Sequence, residues 1–220
     1  MDRQDETEIM TMTIAQICRL APVIPVLIID RVADAAPLAQ ALSGGGLKVL
    51  EVTLRTDAAL EAIREMIAAA PDAVVGAGTL RTPRDVDNAV AAGARFGVSP
   101  GLSAAVLDAA EAAGLPMLPG VATPSEAMAG ADRGLEYLKF FPAEANGGVP
   151  VLKAWASPLQ GLNFCPTGGI SLKNAADYLR LPNVVCVGGS WVAPAGHVES
   201  GDWEAISALA REAAGLKATG

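Results

Sequence analysis

The sequence predicts an α/β fold, one domain closed into a (β/α)8 TIM barrel. Three observations carry that prediction. Eight short runs rich in β-branched and other apolar residues recur, with starts roughly 20 to 27 residues apart, the spacing of compact strand–helix units. They alternate with Ala/Leu-rich stretches bearing helix signals, and such alternation gives a parallel sheet. The first run leads into "IIDRVADA" with no glycine, whereas an open doubly wound sheet often has a glycine-rich turn there and fewer strands.

The expected strands are "VIPVLII" (23–29), "KVLEVTL" (48–54), "AVVGAG" (73–78) and "ARFGVS" (94–99). They continue with "PMLPG" (116–120), "EYLKFF" (136–141), "NFCPTGG" (163–169) and "NVVCVGG" (183–189). Between the second and third, residues 57–70 have apolar side chains at helical spacing and stop before Pro71. After the third, "TPRDVDNAVAAG" offers Thr82 as N-cap, Pro83 at the first helical position and Gly93 past the end. "SAAVLDAAEAAG" repeats the pattern with Ser103 and Gly114, and "TPSEAMAG" opens with Thr123 and Pro124. "DWEAISALAREAAG" closes the chain as the last helix.

A chain of 220 residues suits one domain with a sizeable core. At 51% hydrophobic and 18% charged residues it excludes broad disorder. The expected domain covers 13–215, with a disordered tail over 1–12 and a frayed end over 216–220. A net charge of −8, 4% aromatics and no Lys/Arg cluster argue against nucleic acid as a partner. No apolar run approaches the roughly 20 residues that span a bilayer, and the acidic start "MDRQDETEIMTMT" lacks the pattern of a signal peptide. A cytoplasmic location is expected. Cys18, Cys165 and Cys186 are odd in number and form no CxxC pair, so they read as free thiols. Cys165 and Cys186 fall on neighbouring strands as inert core residues. The single histidine, His197, lies in "APAGHVESG" and reads as a loop residue.

The chemistry is concentrated on two strands. Side chains alternate along a strand, so "KVLEVTLR" turns Leu50, Val52 and Leu54 toward the helices and Val49, Glu51, Thr53 and Arg55 inward. "EYLKFF" likewise turns Leu138 and Phe140 outward and Tyr137, Lys139 and Phe141 inward. These are strands two and six, opposite one another in a ring of eight, and alternate strands share interior layers. Lys139 on a strand end or in a structural ion pair is the simplest account of a buried cation. Convergence with Glu51, beside Thr53, Thr79 and Thr167 at strand carboxyl ends, points instead to a functional site. "PTGGIS" and "VGGS" follow strands seven and eight, where barrels commonly bind phosphate on backbone N–H groups. Neither matches a Walker A loop or GxGxxG.

Taken in order, "EVTLRT", "VGAGT", "SPG", "KFFPAEANGG", "CPTGGI" and "GGSW" closely resemble the 2-keto-3-deoxy-6-phosphogluconate (KDPG) aldolase / 4-hydroxy-2-oxoglutarate aldolase family, over about residues 22–214. The resemblance implies a metal-independent, cofactor-free class I aldolase, usually a homotrimer, acting on a small phosphorylated keto acid. It implies Lys139 as the imine-forming lysine and Glu51 as the general acid/base. Arg55 and Thr79 match binders of the pyruvyl carboxylate, and Pro100 and Phe141 match walls around the pyruvyl group. Thr167, Gly168, Gly169, Gly189 and Ser190 match the substrate-recognition and phosphate end.

An ordinary lysine offers fewer than about one free amine in a thousand at pH 7. An apolar interior and a nearby guanidinium such as Arg55 favour the free amine that imine chemistry needs, while ionised Glu51 opposes them. The alternatives are preference for 4-hydroxy-2-oxoglutarate or another sugar-acid phosphate, a phosphosugar epimerase or isomerase with no essential lysine, and a catalytically silent sugar-phosphate sensor. Trp155, Trp191 and Trp203 read as packing residues, and Glu144 as one that shapes its loop.

Overall fold

The computed structural model describes residues 12–217. The tail and frayed end expected from sequence fall largely outside those residues. A short helix α1 (Ile14–Arg19) comes first. Then follow β1 (Val23–Leu27), α2 (Ala35–Gly44), β2 (Val49–Thr53), α3 (Ala59–Ala69), β3 (Val74–Gly78), α4 (Pro83–Ala91) and β4 (Gly97–Ser99). The second half runs α5 (Ala104–Ala112), β5 (Met117–Val121), α6 (Pro124–Asp132), β6 (Tyr137–Phe140), α7 (Gly148–Trp155), β7 (Asn163–Pro166), α8 (Ala175–Leu179) and β8 (Val187–Gly189). Two more helices, α9 (Ala195–Ser200) and α10 (Trp203–Ala214), complete it.

All strand pairs are parallel, in the order β8-β1-β2-β3-β4-β5-β6-β7. Single bridges Phe164↔Val184 and Thr167↔Gly188 join β7 to the segment of β8 and bring the ring nearly to closure. The predicted barrel is thus observed, with all eight strands in their expected places.

The period of two along the strands sorts the apolar residues into two layers. Leu50, Val52, Leu138 and Phe140 pack under the helices, while Val49, Phe96 and Tyr137 fill the barrel interior. Trp155 belongs to the outer layer, with ring centroids 5.2 Å from Phe140 and 5.5 Å from Phe164. Thr82 and Thr123 cap α4 and α6 through reciprocal bonds with Asp85 and Glu126, each with proline at the first turn. Ser103 precedes α5 without making a side-chain cap. Its hydroxyl therefore does not play the role its position predicts.

Other departures have local causes. The seventh strand stops at Pro166 because Gly168 and Gly169 take φ of +100° and +78°, which bends the chain out of the sheet. His197 is not in a loop; it lies on α9, half-buried, with Nδ1 3.2 Å from Asp202. The helix α1 plugs the barrel floor, where buried Ile17 and Cys18 join the interior layer. Cys165 and Cys186 lie beside Cys18 there. Hydrogen bonding with Cys165, then with Cys18, together with burial, pushes the Cys186 thiol well above its ordinary range.

Candidate active site

The strand carboxyl ends gather the predicted residues at one mouth of the barrel. Glu51, central in β2, and Lys139, in β6, are each about 95% buried, and Lys139 Nζ lies 3.6 Å from Glu51 Oε1. That separation is an ion-pair contact longer than a hydrogen bond. Glu51 Oε1 has no hydrogen-bond partner among the described residues, so an acceptor oxygen stands free beside an amine. Gly78 makes room for it, because a Cβ at that position would overlap the Glu51 carboxylate. Lys139 Nζ also lies 5.0 Å from the centroid of the Phe141 ring, close enough for a cation–π attraction when charged. The Phe141–Pro142 peptide bond is cis.

Arg55 reaches across to β3, its Nε donating to Thr79 Oγ1 at 3.2 Å. Thr79 sits at φ +64°. For a β-branched residue this left-handed backbone costs on the order of 1–3 kcal/mol and is found where surroundings enforce it. Thr53, by contrast, spends its hydroxyl on the Leu27 carbonyl at 2.8 Å and is a structural residue.

A cleft of ≈180 Å³ opens at the same mouth, lined by Arg55, Phe141, Thr167, Gly168, Gly169 and Ser190 among others. The Gly168 N–H is engaged by the Thr167↔Gly188 bridge to β8, whereas the Gly169 N–H has no partner among the described residues. With the left-handed backbone at both glycines, that free donor makes the turn the kind of concave site that receives anions. Gly188 completes it by absence of a side chain, since a Cβ there would overlap Thr167 Oγ1. Gly189 lies in the wall and has the Trp191 ring packed against it.

Pro100 is set back from this cleft. Its carbonyl packs on Gly120, the register partner of Lys139. Sequence reasoning placed Arg55 at one end of a ligand and the glycine turns at the other. The structure has both lining one cleft.

Apolar side chains missed from sequence also line the cleft: Val26, Ile28 and Ile170. The first two share an inward parity with Ile24 along the first strand, and that alternation was readable. Glu144 was read as a loop-shaping residue. It lies in a single 3-10 turn after β6 and accepts a short hydrogen bond from the Tyr178 hydroxyl. Burial first, and then Glu144, raises the Tyr178 phenol above its ordinary range.

A larger cleft, ≈470 Å³, lies away from this mouth among Arg64, Arg95, Gly93 and Gly114. It contains neither a buried nucleophile nor a paired acid and base, so volume alone does not mark the chemistry. Among the described residues no group of three or more His, Cys, Asp or Glu is arranged to hold a metal. What the strand-end site can do follows from its parts. A buried amine supplies a covalent nucleophile, an adjacent carboxylate moves a proton, and anion donors hold charged ends of a ligand.

Comparison with known proteins identifies a family. The family model for KDPG and KHG aldolase matches residues 14–209. The 2-dehydro-3-deoxy-phosphogluconate aldolase of Dickeya dadantii (strain 3937) is 54% identical over 198 residues, 90% of this chain and 93% of that protein. A crystal structure of 2-keto-3-deoxy-6-phosphogluconate aldolase from Zymomonas mobilis superposes with a TM-score of 0.90 at 51% identity, covering 94% of this chain and 99% of that one. KDPG aldolase from Legionella pneumophila, with pyruvate captured at low pH as a covalent carbinolamine, gives a TM-score of 0.88 at 47% identity, covering 90% and 97%.

Proposed function

The chain belongs to the KDPG and KHG aldolase family, and we infer that it cleaves 2-dehydro-3-deoxy-6-phosphogluconate to pyruvate and D-glyceraldehyde 3-phosphate through an imine on Lys139. The observation that carries this reading is the buried Lys139–Glu51 pair, 3.6 Å apart at the barrel mouth. The carbinolamine in the Legionella relative supports it, because such an adduct forms when an amine adds to the pyruvate ketone.

The free amine of Lys139 attacks C2 of the substrate, and loss of water gives a protonated imine. Glu51 takes the proton of the C4 hydroxyl. The C3–C4 bond then breaks, its electron pair entering the imine as the C4 oxygen becomes the aldehyde carbonyl. Glyceraldehyde 3-phosphate leaves. The remaining enamine accepts a proton at C3, and water hydrolyses the imine to release pyruvate and the amine. Arg55, with Thr79, holds the carboxylate by a charge-assisted bond. Pro100 and Phe141 wall the pyruvyl group, and Thr167, Gly168, Gly169, Gly189 and Ser190 receive the phosphate.

The family name also covers 4-hydroxy-2-oxoglutarate, which has no phosphate. The free N–H of Gly169 on its left-handed turn favours the phosphorylated substrate. A homotrimer in the cytoplasm completes the proposal. Three free cysteines support a reducing compartment, no helix among the described residues is long and apolar enough to cross a membrane, and a sedimentation mass other than three chains would overturn the trimer.

The test is reduction by borohydride in the presence of pyruvate, followed by peptide mapping. A stable pyruvate-derived mass on Lys139 is the expected result. Active protein that yields no adduct at Lys139 overturns the imine.

A further inference from the structure

The turn that carries the two left-handed glycines rests on the turn after β6. Ala143 N–H donates to the Thr167 carbonyl at 2.8 Å, and Glu144 N–H to the Gly168 carbonyl at 3.1 Å. The Glu144 side chain runs beneath the glycines. A Cβ on Gly169 would overlap Glu144 Cβ and Cγ, and one on Gly148 would crowd both Glu144 Oε1 and the Tyr178 hydroxyl. Tyr178 is fully buried on α8, the helix that follows the glycine turn. Its only polar atom on the side chain donates to Glu144 Oε1. Asn174, one residue before α8, ties the other side of the turn by donating from Nδ2 to the Gly169 carbonyl at 3.1 Å.

Glu144 is itself absent from the cleft wall. Its carboxylate is anchored at the far end and its backbone is bonded to the turn, so its position fixes where the free N–H of Gly169 points. We propose that Glu144, held by Tyr178, is a positioning residue for phosphate: it sets the Thr167–Gly169 turn and thereby selects phosphorylated over phosphate-free substrates. This rests on the aldolase reading above and deepens it. A carboxylate so near an expected dianion would be unfavourable as a binding group. As an anchored strut it leaves the donors to the backbone.

The test compares two substrates sharing the pyruvyl half, 2-dehydro-3-deoxy-6-phosphogluconate and 4-hydroxy-2-oxoglutarate. Glu144→Ala should raise KM for the phosphorylated substrate by about 10- to 100-fold, the size of one hydrogen bond to a charged group. Its kcat/KM for the phosphate-free substrate should stay close to wild type. Tyr178→Phe should reproduce that split, and it removes one oxygen only should the alanine variant fail to fold. Glu144→Gln, which keeps an acceptor for the Tyr178 hydroxyl, should restore KM. Equal losses on both substrates, an unchanged KM for the phosphorylated one, or a glutamine variant as impaired as the alanine would each overturn the proposal. If wild-type protein fails to cleave either substrate or to trap pyruvate, the aldolase reading itself fails. Intact trapping with no split between substrates removes only the role of Glu144.

Discussion

A Cβ on Gly78 would overlap the Glu51 carboxylate, so a residue with no side chain decides where the proposed acid/base, Glu51, stands relative to Lys139. The charge is then held at ion-pair distance with one oxygen unbonded, placed to accept a proton. Glu51→Gln keeps the shape and removes that basicity. We expect the variant to trap pyruvate on Lys139 while cleavage falls by about 10²- to 10⁴-fold, the usual worth of a positioned general base. Measuring cleavage alongside pyruvate C3–H exchange checks this, and wild-type rates for both would remove Glu51 from its role. The inward parity of Glu51 and Lys139 was legible because strand side chains alternate strictly. The left-handed backbone of Thr79 was not, since "VGAGT" offers two glycines that would adopt it more readily. The Glu144–Tyr178 bond was also hidden, because it joins residues 34 positions apart in separate strand–helix units.

At the scale of elements, the capped helices pin the mouth. Thr82 and Thr123 follow the carboxyl ends of β3 and β5, so each capping box fixes a helix start on the site face. N–H donation from Ala122, followed by bonds from the Thr123 hydroxyl and N–H, holds the Glu126 carboxyl below its ordinary range. A depressed carboxyl value stabilises the fold above the unfolded value, about 4.3 for glutamate, and that stability is lost as pH falls through the folded value. Glu126→Gln removes the titration. The wild-type lead in thermal midpoint over this variant should therefore be full at pH 7 and shrink below about pH 4.3. A lead unchanged down to pH 3 would show that the carboxylate charge contributes nothing at this cap. The two Thr-Pro helix starts were readable because cap and proline signals sit next to each other in sequence. The short α1, α8 and α9, of six, five and six residues, span too few turns to show a helical period, so they were missed.

For the whole molecule, counting eight strand–helix units was enough to choose a closed barrel, but not to see what closes its floor. That part is α1, which a reading centred on recurring strands leaves outside the repeat. Ile17, 1% exposed, enters the interior layer with Val49, Phe96 and Tyr137, the layer that precedes Glu51 and Lys139 on β2 and β6. Conserving stability at one face and chemistry at the other is the usual division in this architecture. Ile17→Ala should therefore cost about 2–5 kcal/mol through lost burial and a residual cavity. For a chain of this size the melting temperature should fall about 2–4 °C per kcal/mol. At 25 °C, pyruvate trapping and kcat/KM should stay within about twofold of wild type, because the mouth is built from other residues. A physical route from this layer to the cleft runs through Cys165, which belongs to the floor cluster and approaches Thr167 Oγ1 at 4.0 Å. A folded Ile17→Ala protein that loses activity selectively on the phosphorylated substrate would show that this contact carries floor packing into the cleft. Unchanged activity at a lowered melting temperature would show that the plug serves only to hold the barrel shut.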